Sequence, residues 1–165
     1  MSASQVLCSC EMVGHGKLGT VLDSEQLARV ITSPNHVRKD GSLKPGAFPP
    51  THIKRSGVSV VRTAHVTVKQ MVVIADAIAG NKAGEKLSGI AVCKASAIRS
   101  IRNDNEERSL CLFDDPVEGK ETLPDNPAHA IIIGSNDFDH AEILRLQGEL
   151  LKLFGAPQDI PSALI

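Results

Sequence analysis

The side chains able to do acid–base or anion chemistry gather in a few places. Arg55, Arg62, His65 and Lys69 crowd the approach to Thr67-Val68-Lys69-Gln70, which has the spacing of a capping box. A helix start presents unpaired N–H groups and the positive end of the helix dipole. Cationic side chains beside it make a place for phosphate or carboxylate. The plainer alternative is that Thr67 caps the helix and the basic side chains are solvated.

A second group is Asp114, Asp115 and His129. If the strands predicted around 110–113 and 129–133 pair antiparallel, the end of one lies beside the start of the other. Two carboxylates then come near an imidazole, and a carboxylate that fixes a histidine tautomer suits it to general base work. The alternative is that the aspartates shape the turn before Pro116 and His129 bonds to backbone.

His65-Val66-Thr67 resembles one half of the H-x-T signature of the two-histidine phosphoesterases. That family uses two such motifs, and the other histidine here, in His129-Ala130-Ile131, has no hydroxyl at the third place. The resemblance implies phosphoester hydrolysis by His65 and His129; Asp115 is a catalytic candidate from its place beside His129 in the second group. His15, His36 and His140 have no partners at informative spacing.

Other chemistries lack their signatures. There is no Gly-rich phosphate loop, no dinucleotide-binding motif and no G-x-S-x-G, so no cofactor is expected. Cys8 and Cys10 form a C-x-C with His15 beyond, but a zinc site wants four ligands, usually as two spaced pairs. No metal and no disulfide are expected. All four cysteines read as reduced cytosolic thiols, Cys93 and Cys111 as small core residues.

The balance of 18 Lys and Arg against 19 Asp and Glu hides an asymmetry. Between Gln26 and Ala75 there are eight basic residues and one acid; between Asp104 and Leu150 there are twelve acids and three basic residues. Either the two halves face one another, or the first half draws an anionic ligand or acidic partner. With four Phe and no Tyr or Trp, the chain lacks the aromatic platforms that stack single-stranded nucleic acid. No apolar run is long enough to span a membrane, and residues 1–5 do not resemble a secretory signal, so a cytoplasmic protein is expected.

The elements that must position these residues are short. Asp23-Ser24-Glu25-Gln26 looks like a capping box and predicts a helix from Ser24 to Ile31. Residues 35–51, with Gly41, Pro45, Gly46, Pro49 and Pro50, predict a long and mobile loop. Val58–Arg62 reads as a strand and Val68–Ala79 as the central helix. Strands follow at 90–93, 110–113 and 129–133, with residues 94–102 open to either a strand or a helix. Asp139-His140-Ala141-Glu142 starts a helix that runs to about Phe154, and the tail after Pro157 is expected to pack loosely.

About three helices and a small, mainly antiparallel sheet make one α+β domain over residues 1–165. The expected function is recognition of an anionic ligand or acidic partner through the basic region at 36–69, with Arg55, Arg62, His65 and Lys69 as ligand-binding residues. The alternative is a hydrolase using His65 and His129. A homo-oligomer fits the aliphatic last helix as well.

Overall fold

A computed structural model describes residue 11 and residues 16–164. The fold is α+β. One antiparallel sheet of five strands, in the order β3-β1-β2-β5-β4, carries helices on both faces. The strands are β1 (Gln26–Ser33), β2 (Val58–Arg62), β3 (Lys86–Lys94), β4 (Cys111–Asp114) and β5 (His129–Ile133). Helix α1 (Val68–Gly80) lies on one face, packed through Met71, Ile74 and Ala75 against Ala28, Val30 and Val61. Helix α3 (His140–Phe154) lies on the other, where Ile143, Leu146 and Leu150 meet Leu27, Ile31 and Ile132. Two short α-helices are α2 (Ala95–Arg99) and α4 (Ile160–Ala163).

The helix expected at Ser24–Ile31 is a strand, and a central one. Alternate side chains of β1 enter the two cores, Leu27 and Ile31 on one face and Ala28 and Val30 on the other. A run buried on both sides suits a strand between two neighbours. The carboxylates that mimicked a cap are engaged elsewhere: Asp23 accepts from Arg99 Nη1 at 2.7 Å, and Glu25 pairs with Arg62. Residues 95–99, left open by periodicity, form α2.

Residues 35–51 are docked on the core. Phe48 is fully buried and its ring centroid lies 5.0 Å from that of Phe154. Gln147 Nε2 donates to the carbonyls of Pro45 and Phe48 at 2.9 and 3.0 Å. The prolines here shape a path across α3; they do not free the segment. The tail is also fixed: Gln158 exchanges backbone hydrogen bonds with Ile90, and Ile160 and Ala163 are buried. Gly89 takes φ +137° at this crossing, where a Cβ would collide with the Gln158 carbonyl.

Cys111 is disulfide-bonded, which corrects the reading of four reduced thiols and removes one argument for a cytoplasmic location. Cys93 is free and buried, and burial pushes its thiol up to about 11. Cys8, Cys10 and His15 lie outside the described residues. Among the described residues no helix is long and apolar enough to cross a membrane.

Candidate functional site

The β1–β2 pairing is short. Only Leu27↔Arg62 and Ala28↔Val61 are in register, after which the two strands carry no ladder. Arg29 occupies the parting. Its Nε donates to the Ala47 carbonyl at 3.0 Å and its Nη1 to the Ser59 carbonyl at 3.1 Å, so the side chain fastens β1 to β2 where the backbone does not.

A cavity of about 400 Å³ opens at this parting. Its floor includes Val30, Ser59 and Val61 of the two strands, and Ile74 and Ile78 of α1 form a wall. The segment from Val117 to Asn126 roofs it, contributing Thr122, Leu123 and Pro124. That segment is closed at its base by reciprocal Val117–Asn126 backbone hydrogen bonds and held at its tip by Asn81 Nδ2, which donates to Thr122 O at 2.7 Å. The size is ordinary for a small-molecule site.

The basic residues lining this cavity are Arg29, His52 and Lys82. Arg29 is 8 % exposed and forms no ion pair with any described acid. Its two hydrogen bonds go to neutral carbonyls, which leaves three of the five guanidinium N–H groups without an acceptor among the described residues. Burial lowers the Arg29 pKa to about 10. Lys82 is lowered by burial and then by the charge of Arg29, with Glu85 opposing. His52, on a single π-type turn at His52–Ser56, is lowered by burial and then by Arg29 and Lys82. Neighbouring His36, its Nδ1 accepting from the Thr32 amide at 3.1 Å, is lowered to about 4 by burial, then by Lys82 and Arg29. The Arg29 charge thus depresses Lys82, and Arg29 and Lys82 together depress His36 and His52.

Arg62 and His65 meet, but on Glu25. All five Arg62 N–H donors are matched, by Glu25, Asp114 and the carbonyls of Gly19 and Thr20. His65 Nε2 is 3.4 Å from Glu25 Oε1. The acid that answers Arg62 is therefore internal. Arg55 is exposed before β2, and Lys69 lines a shallow groove with Val73 and Asp125. Thr67 and Gln70 form the capping box, at 3.1 and 2.9 Å.

His129 and Asp115 are brought together as the strand pairing requires. His129 Nδ1 bonds to the Asp115 carbonyl and is 3.3 Å from Asp115 Oδ2. Asp114 turns away to Arg62. His129 lines the cavity of Arg29, whereas His65 lines a separate open cleft with Leu18, Thr20 and Glu25. The pair needed for two-histidine phosphoester hydrolysis does not share a cavity.

Sequence motifs do not mark Arg29, His52 or Lys82. Arg29 looked like one residue on a helix face, and His52 sits in a Pro-rich stretch without capping or spacing signals. The available hint is composition: Arg29 and His52 belong to the stretch from Gln26 to Ala75, which holds one acid. Among the described residues no group of three or more His, Cys, Asp or Glu is placed to hold a metal.

The chain matches no protein-family model, and no curated protein or solved structure shows significant similarity to it.

Proposed function

We propose that this protein binds a small anionic ligand in the cavity between β1, β2, α1 and the 117–126 segment. The observation that carries the reading is Arg29: a guanidinium nine-tenths buried, without an acidic partner, with unused donors, on the wall of a cavity. A buried charge is costly unless paired. Here the Lys82 ammonium adds to the imbalance, and a bound carboxylate or phosphate would relieve it. A concave cavity of this size favours a small molecule over an acidic protein surface. The basic region read from the sequence contributes His52; Arg29 and Lys82 flank it on either side.

The test is calorimetry of the full chain with inorganic phosphate, acetate and propyl phosphate. Saturable heat is expected from at least one of them, and Lys82→Met or Arg29→Met should weaken it about tenfold or more, the size of a charge-assisted hydrogen bond. The Lys82 side chain makes no hydrogen bond or ion pair among the described residues, so its variant tests the idea without disturbing the fold. Absence of heat with all three probes, or heat that neither substitution changes, would refute the proposal.

A further inference from the structure

The cavity has a second polar end, and strand register gives its distance from the first. Arg29 Nη1 bonds at the level of Ser59, which stands opposite Ile131 of β5. His129 stands opposite Val61, two residues along, or roughly 7 Å at strand rise. Asn126 is at that same end, its carbonyl accepting from the His129 amide at 3.2 Å. Between the ends the lining is aliphatic: Val61, Ile74, Ile78 and Leu123.

The far end carries one free donor and one free acceptor. Asn126 is 4 % exposed, and its Oδ1 accepts from the Ala128 amide at 3.1 Å, yet its Nδ2 has no acceptor among the described residues. Asp115 holds the His129 ring at Nδ1 through both a carbonyl and a carboxylate, and both are acceptors. In the neutral ring these two acceptors select the Nδ1–H tautomer, which leaves the lone pair on Nε2. A hydroxyl is the simplest group that answers both, accepting from Asn126 Nδ2 and donating to His129 Nε2.

We infer that the ligand is a short ω-hydroxylated anion: a carboxylate or phosphate head on Arg29, an aliphatic body of a few carbons, and a hydroxyl between Asn126 and His129. This deepens the anion-binding reading and rests on it. The aliphatic lining accounts for the body, the register for its length, and the donor–acceptor pair for the hydroxyl. Carboxylate and phosphate heads share this chemistry, and the two arms of the test separate them.

The experiment is calorimetry of the full chain with acetate, butanoate, hexanoate, 4-hydroxybutanoate and 6-hydroxyhexanoate, and in parallel with inorganic phosphate, propyl phosphate and 3-hydroxypropyl phosphate. Each added methylene should tighten binding about fourfold until the cavity is filled. At the best length the ω-hydroxyl compound should bind about tenfold tighter than its methyl counterpart. His129→Leu should erase that preference. Should that variant fail to fold, the wild-type hydroxyl-against-methyl comparison still decides. Head groups that bind with no gain from chain length or hydroxyl would overturn this inference while leaving the anion site standing. No binding by any probe would overturn both.

Discussion

Arg62 and Glu25 are joined at two points: Nε lies 2.8 Å from Oε1 and Nη2 lies 2.8 Å from Oε2. Both side chains are buried, and Asp114 adds a third contact at 3.1 Å. The pair ties the segment before β1 to the end of β2. Arg62→Met leaves two buried carboxylates without their cation, and the expected loss is about 3–5 kcal/mol. Urea unfolding of the single variant and of Arg62→Met with Glu25→Leu measures it. The double variant should recover part of the loss, since two apolar groups need no partner.

Glu25 also makes stability depend on acid. Burial alone would raise its carboxyl, but the Arg62 hydrogen bonds, the Leu22 amide and the charges of Arg62 and His65 outweigh that and hold it below the ordinary 4.5. A depressed carboxylate stabilises the fold fully above the unfolded value and less as pH falls below it. Thermal midpoints should drop below about pH 4.5, and Glu25→Gln should flatten that drop while lowering stability at neutral pH. An unchanged slope in the variant would assign the acid loss to other groups.

His36 acts in the next window up. Its folded pKa of about 4 lies below the ordinary 6.5, so the unfolded chain takes up a proton first. Its contribution is complete above pH 6.5, declines as pH falls toward 4, and is gone below that. His36→Asn keeps an acceptor for the Thr32 amide and removes the titration. Stability measured between pH 6.5 and 4 should therefore vary less in the variant than in the parent.

The cavity charges can be read on His52. Burial and then the Arg29 and Lys82 charges lower its pKa. Arg29→Met should raise it toward 6.5 in an NMR titration of the ring protons, and so should a bound anion in the parent protein. A His52 titration indifferent to both changes would mean that the ring does not feel the arginine.

Phe48 tests the docking of the Pro-rich segment. It is fully buried against Phe154. Phe48→Ala should cost about 3–5 kcal/mol, as for other large-to-small core changes. In the parent protein the amides of Arg38 and Lys44, which donate to Ser42 O and His36 O at 2.8 and 2.7 Å, should exchange slowly. Rapid exchange at both would return the segment to the status of a free loop.

What the sequence made legible was local. Thr67 with Gln70, and Asp139 with the Glu142 amide, start helices where their spacing says they should. The apolar runs at 110–113 and 129–133 pair antiparallel, which is why Asp115 and His129 meet. What stayed hidden was long-range. Asp23 and Glu25 look like helix-start acids until Arg99 and Arg62 arrive from distant parts of the chain. Buried Glu11, which accepts from Arg99, Arg108 and the Leu112 amide, has no local signal at all. The candidate site is of this second kind. Arg29, His52 and Lys82 are drawn together by the parting of two strands, and no spacing rule encodes a gap between strands.

That parting divides the sheet mechanically. β1 shares eight residue pairs with β3 and two with β2, while β2 shares four with β5. The five strands are thus two stiff panels joined along a short seam, with one arginine stitched across it. A guest seated against Val30 on one panel and Val61 on the other acts as a second stitch. Occupancy would then register as stiffening of the whole sheet, and an empty cavity as a fold with a built-in line of weakness.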